Sequence, residues 1–189
     1  MSDTAPAPRA AVVYESMFGN TSHVAAAVAD GLRAAGCDTV TAEVNTAPDP
    51  QSDLALLVVG APTHALSLSR PRTRQDAVSQ GAPPTRAGRG LREWLQETQP
   101  PGPTTRMAVF DTRVSKARRL PAAGRAAARL ARSSGFRLLG KPVPFLVEGT
   151  AGPLCEGEEE RAFRWGQALG EALQGRAPAR QGTKGLPGS

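Results

Sequence analysis

Short apolar runs alternate with helical stripes along this chain. Residues 10–14 (AAVVY) are an unbroken apolar run, the pattern of a strand buried on both faces. From 20 to 35, Val24, Val28, Gly31, Leu32 and Ala35 recur at helical spacing, and Gly36 is placed to stop the helix. Residues 39–44 (TVTAEV) alternate and predict an outer strand, and 54–59 (LALLVV) form the strongest strand pattern in the chain. Residues 91–98 put Leu91, Trp94 and Leu95 on one helical face, and Pro100, Pro101 and Pro103 end that helix. A strand follows at 107–110 (MAVF), then an Ala/Arg-rich helix over 121–134 with its proline in the tolerated first turn. The last strand takes in 144–147 and is preceded by the apolar segment 136–139. The last helix, 158–173, aligns Ala162, Trp165, Gly166, Leu169 and Leu173, with Glu158, Glu159 and Glu160 at its positive end.

Strands alternating with helices predict an α/β fold with a parallel sheet covered on both faces. The natural candidate is a doubly wound sheet of five strands in the order 2-1-3-4-5, with a ligand at the carboxyl ends of strands one, three and four. No helix pattern is evident between the second and third strands. The Gly/Pro/Ser/Arg-rich stretch 60–90 is too long for an ordinary loop, so it is expected to be functional or to hold local structure. Residues 1–8 predict a flexible arm, 9–174 one domain, and 175–189 (GRAPARQGTKGLPGS) a disordered tail.

Composition narrows the class. The chain has 189 residues, 40% hydrophobic and 21% charged, which suits a folded soluble domain rather than a disordered one. It has no run of 18 apolar residues, so no membrane association is expected, and its first ten residues lack a secretory pattern. Cys37 and Cys155 form no motif, consistent with a reducing, cytoplasmic setting. The net charge is +6, and 20 of the 23 basic residues are Arg, spread along the chain rather than blocked. No Arg-rich stretch interleaves with aromatics, so a nucleic-acid partner is not expected. Two distant His and two distant Cys give no metal site by spacing, and 135–142 departs from a nucleotide P-loop by lacking the final Ser or Thr.

The chemistry concentrates where the first strand runs into Glu15-Ser16-Met17-Phe18-Gly19-Asn20-Thr21 and then a helix. A helix N-terminus offers unpaired N–H groups and the positive end of a dipole, Ser16 and Thr21 add hydroxyls, and Gly19 lets an anion approach the backbone. No Lys or Arg stands in this turn, so a phosphate there would be held mainly by neutral donors. The simpler reading is that Asn20 or Thr21 caps the helix. Beside the predicted switch point, His64 is either a ligand contact or a loop histidine bonded to backbone. His23 is expected to face solvent, and Trp94 and Trp165 the core. The cluster Arg70, Arg72, Arg74 fits a bound anion, an acidic partner, or a solvated loop with internal ion pairs such as one to Asp76. Arg125, Arg129 and Arg132 share one helical face, either solvated or an anionic docking surface.

Ser16-x-x-Gly19-Asn20-Thr21 after AVVYE resembles the phosphate loop of the flavodoxin-like family, whose members bind flavin mononucleotide (FMN). Val58-Val59-Gly60-Ala61-Pro62-Thr63-His64 resembles that family's third strand and flavin-edge loop. Ser69-Arg70-Pro71-x-Thr73-Arg74, Gly90-Leu91-Arg92-Glu93-Trp94-Leu95 and Ala108-Val109-Phe110-Asp111-Thr112-Arg113 are similar to a flavodoxin-domain branch from Arg- and Ala-rich proteomes. The resemblance covers roughly 10–174. It implies a flavodoxin-like fold, with Ser16, Met17, Phe18, Gly19, Asn20 and Thr21 around the phosphate of FMN. It implies Ala61, Pro62, Thr63 and His64, with Asp111, Thr112 and Arg113, beside the isoalloxazine ring. The chain departs from electron-carrying flavodoxins in being basic and in lacking Trp or Tyr over 61–75 and 111–120. The function this implies is electron transfer between a reductase and an acceptor, with no catalytic residue of the chain's own. The alternatives are an FMN-dependent NAD(P)H or quinone oxidoreductase, with Arg70, Arg72 and Arg74 taking the nucleotide phosphate, and a binding or regulatory module that has lost the flavin.

Overall fold

A computed structural model describes residues 6–175. Six parallel strands and five α-helices follow one another: β1 Arg9–Tyr14, α1 Asn20–Ala34, β2 Asp38–Glu43, β3 Leu54–Pro62, α2 Pro71–Ser79, α3 Leu91–Glu97, β4 Arg106–Val114, α4 Ala123–Ser133, β5 Arg137–Leu138, β6 Val143–Val147 and α5 Glu158–Leu173. The sheet order is β2-β1-β3-β4-β5, with β6 also paired to β4. The fifth position is thus shared. β5 pairs with the start of β4 (Arg106 opposite Arg137), and β6 with its end (Phe110 to Val114 opposite Val143 to Val147). Residues 139–142, which carry Gly140 and Pro142, separate β6 from β5, which forms within the apolar segment that the sequence places ahead of the last strand.

The period-2 alternation of β1 divides the core. Ala10 and Val12 face α1 and α5 with Leu56, Val58 and Phe110, whereas Val13 packs with Leu57, Val59, Trp94 and the alanines of α4. On the first face, a Cβ on Gly31 would lie 2.1 Å from the Phe163 carbonyl, and one on Gly166 2.1 Å from the Val28 carbonyl. The two glycines at the predicted helical positions therefore let α1 and α5 pack backbone to backbone. Half-buried Trp165 completes a cluster with Phe110 and Phe145, ring centroids 5.9–6.1 Å apart, in which Phe110 meets both other rings edge to face. Trp94 is fully buried on the other face.

The β2–β3 connection, residues 44–53, contains no helix. A loop carrying Pro48 and Pro50 lies beside Ala11, Val40 and Ala42 in its place, leaving Val40 53% exposed. The 60–90 stretch does hold local structure: helix α2 and a 3-10 turn at Pro84–Ala87. Within the predicted arm, residues 6–8 are non-regular, while 1–5 lie outside the described residues; of the predicted tail, 176–189 lie outside them as well. Among the described residues, no helix is long and apolar enough to cross a membrane.

Candidate functional site

The carboxyl end of β1 turns through residues 15–19 into α1. Gly19 is the N-cap residue at φ +99°, a left-handed conformation that penalises any Cβ, and a Cβ there would point into open space. The Ser16 hydroxyl is buried and accepts the Gly19 and Ser22 amides at 3.2 and 3.3 Å. Among the described residues, the amides of Met17, Phe18, Asn20 and Thr21 have no protein acceptor. This is a concave turn of N–H groups at a helix's positive end, the geometry that takes an anion. Neither Asn20 nor Thr21 caps the helix by side chain. The Thr21 hydroxyl instead meets that of Thr112 at 2.8 Å, tying the turn to β4, and both residues are buried. Met17 is also buried, packed with Ala77 and Ala82, so it offers an anion only its backbone.

A cleft of about 340 Å³ opens beside this turn, at the carboxyl ends of β3, β4 and β6. Phe18, Pro62, Thr63, His64 and Ala65 line it together with Arg113, Val147 and Thr150. Its remaining wall is α2, through Thr73, Asp76, Ala77 and Gln80. The position beside β1 and β3 is the switch point at which such sheets bind ligands. His64 and Ser67 exchange backbone hydrogen bonds across a turn in which Ala65 and Leu66 both have positive φ, 45° and 65°. Neither residue is glycine, and non-glycine residues persist there only where surrounding structure imposes it. Burial, then the nearby Arg74 charge, lower the His64 pKa against a backbone hydrogen bond to Thr73, so His64 is neutral at pH 7.

Asp111 lies behind the cleft wall and holds Arg113, which reaches the cleft. Asp111 is fully buried and takes both arms of Arg113, Nε and Nη2 each at 2.6 Å. It also accepts the Gly124 amide at 3.2 Å, while Thr63 Oγ1 accepts the Ala123 amide at 3.1 Å. A Cβ on Gly124 would sit 2.4 Å from the Asp111 carboxylate. The Asp111 side chain therefore caps α4 and neutralises Arg113 behind the cleft wall; Arg113 and Thr63 line the cleft, and Ala61 is buried beneath it.

The Arg70, Arg72, Arg74 cluster is split. Arg70 and Arg72 are exposed at the start of α2, but Arg74 is 2% exposed and donates to Ser69 Oγ at 2.9 Å and Glu93 Oε2 at 3.2 Å. A buried, paired Arg74 cannot reach a nucleotide phosphate, and its partner is Glu93 rather than Asp76. Glu15 lies in the same network: its Oε2 accepts the Leu91 amide at 2.8 Å, while Oε1 is buried without a partner. Desolvation raises the Glu15 pKa, opposed by Ser69, the Leu91 amide and Arg74. This network pins the 60–90 stretch to the turn.

Sequence reasoning missed three contributors. Helix α2 buries Arg74 and Ala77 rather than an apolar stripe, so it has no periodicity to see. Arg86 donates to the Met17 carbonyl at 3.1 Å, bringing a cation to a turn that has none of its own. Thr150 follows the last strand, and the carboxyl end of β6 is the one signal that could have found it. His23 is exposed, as expected.

No protein-family model matches the chain, and no curated protein sequence does. Solved structures match it across most of its length. A flavodoxin from the domain Archaea superposes with a TM-score of 0.59 at 17% identity, covering 88% of this chain and 99% of that one. A Streptococcus pneumoniae flavodoxin gives 0.57 at 18%, covering 87% and 99%. The rubredoxin oxygen:oxidoreductase of Desulfovibrio gigas gives 0.57 at 16%, covering 90% of this chain but 37% of that one. The fold is flavodoxin-like.

Proposed function

We propose that the cleft binds FMN and that the protein carries electrons. One observation carries this reading: the turn of free amides at the start of α1 adjoins an open cleft at the switch point of a flavodoxin-like sheet. The phosphate would take the free amides of Met17, Phe18, Asn20 and Thr21 and the hydroxyl of Ser16. The donor set suits a phosphate ester: neutral N–H and O–H groups, a helix dipole, and Gly19 leaving the approach open.

FMN, when bound, supplies the electron chemistry, and the chain supplies affinity and potential. Phe18 and neutral His64 would offer the ring flat surfaces, and the apolar walls at Pro62, Ala65 and Val147 would exclude water. Arg113 brings donors without net charge, because Asp111 balances it. No proton donor or acceptor is required of the chain. The flavodoxin neighbours support this reading, and a soluble, cytoplasmic carrier is consistent with it.

Titrating FMN with the purified protein and following flavin fluorescence tests the binding. Saturable quenching at one FMN per chain is expected, and fluorescence unchanged at tens of micromolar protein would refute it. Mixing the dithionite-reduced complex with a one-electron acceptor protein under argon then tests the carrier role. Oxidation faster than with free reduced FMN is expected, and no exchange would refute electron carriage.

A further inference from the structure

From Thr98 to Val147 the chain has ten basic residues and a single acidic one, Asp111. Asp111 is fully buried and consumed by Arg113. The other nine cations of this segment are all exposed, and none has an ion-pair partner among the described residues. The acids of α3, which packs against α4, are taken elsewhere: Glu93 by Arg74 and Glu97 by Arg89. Asp76 on the cleft wall and Glu148 just past β6 bound the patch on the cleft side.

The cations are ordered. Ala123, Gly124, Ala127, Ala128 and Ala131 form the buried side of α4, small enough to seat it closely on the sheet. That leaves Arg125, Arg129 and Arg132, at i, i+4 and i+7, as a stripe on the outer side. The helix spans about 16 Å at 1.5 Å per residue. Its N-terminus is bonded to Thr63, on the cleft wall, so the stripe starts at the cleft rim and runs away from it. Lys116, Arg118 and Arg119 lie at the same rim, in the turn that Arg113 holds by donating to the Arg118 carbonyl at 3.2 Å. Among them Leu120 is 49% exposed, a large apolar side chain framed by positive charge.

We propose that this face, from Lys116 through Arg132, docks an acidic surface of a partner protein, with Leu120 as its apolar contact. Unpaired charge of one sign speeds and orients the encounter with a complementary surface, and a mixed apolar and charged patch is what a transient protein interface presents. Position favours a protein over nucleic acid: the patch borders the cleft, and it offers an exposed aliphatic residue and no exposed aromatic platform. That the docked partner exchanges electrons rests on the FMN reading; the docking does not.

The test uses a fluorescently labelled acidic [2Fe–2S] ferredoxin as probe, with basic cytochrome c and a 20-base-pair DNA duplex as comparisons. Wild type and R118Q/R119Q/R125Q/R129Q are compared at 25 and 250 mM NaCl, each with and without FMN. The expected result is binding of the ferredoxin but not of cytochrome c at low salt, weakened about tenfold or more by the higher salt and by the fourfold variant. The L120S variant is expected to weaken it about threefold, with the salt dependence retained. No binding at 25 mM, equal binding by the fourfold variant with an unchanged melting temperature, or tighter binding of DNA than of ferredoxin would overturn the proposal. FMN titration of the same samples keeps the two readings apart. Docking without flavin binding refutes only the function above, and flavin binding without docking refutes only this inference.

Discussion

The two ends of the cleft are built in opposite ways. The turn at 15–22 is held by local backbone geometry: a left-handed glycine, a helix start and a serine hydroxyl that accepts from amides three and six residues on. The wall contributed by α2 is held by side chains far apart in sequence. Arg74 meets Glu93, Glu15 accepts from Leu91, and Arg86 reaches back to Met17. A ligand site can thus join one end that is specified locally to another specified only by tertiary pairing, and the two should fail differently. Damage to the first should cost affinity and leave the fold. Damage to the second should cost stability first.

The largest expected effect falls on the second end. Arg74→Met removes the cation from a buried pair and leaves Glu93 and Glu15 without it. Losing one partner of such a pair costs about 3–5 kcal/mol. Urea unfolding should show that loss, and a change under about 1 kcal/mol would mean the network does not hold the wall. Gly19→Val comes next. A branched residue at φ +99° costs about 1–2 kcal/mol of backbone strain and fills the open side of the turn. FMN affinity should fall about tenfold or more while the far-ultraviolet spectrum is unchanged. Unaltered affinity in the folded variant would move the phosphate elsewhere.

Glu15 sharpens the contrast through pH. Its carboxyl titrates higher in the folded protein than in the unfolded chain, so the folded state holds the extra proton between the two values. Stability from this group is present below the ordinary glutamate range and lost as pH rises through the raised value, with a slope of at most about 1.4 kcal/mol per pH unit. Glu15→Gln should flatten that part of the stability–pH curve relative to wild type, and parallel curves would contradict the assignment. The smallest effect is Thr112→Val. It deletes the buried hydroxyl contact to Thr21 and should cost about 1 kcal/mol in the same unfolding assay. Its FMN affinity should change less than that of Gly19→Val.

The same division explains what the sequence made legible. The order of the main strands and helices, the helical placement of Gly31 and Gly166 and the glycine-bearing turn at 15–21 were all written as periodicity or as adjacent residues. Helix α2 was not, since it buries an arginine where a stripe would carry a leucine. The part Asp111 plays was hidden for a related reason. Nothing in the run Asp111-Thr112-Arg113 says that the carboxylate turns inward to cap α4, twelve residues on, and takes the guanidinium with it. Helical rotation turns Arg72 away from buried Arg74, and Arg70 stays exposed because it is the extended N-cap before α2; both are visible only once α2 is known to be a helix. The break between β5 and β6 was signalled by Gly140 and Pro142 without showing that both halves pair with one strand.

Comparing FMN with riboflavin, which has the same ring and lacks the phosphate, tests most simply whether the turn captures a phosphate. If the turn at 15–22 holds the phosphate beside a ring in the cleft, FMN should bind at least about tenfold more tightly than riboflavin, the equivalent of about 1.4 kcal/mol. Gly19→Val should erase most of that difference. Equal affinities for the two flavins, or binding of neither, would contradict phosphate capture by this turn.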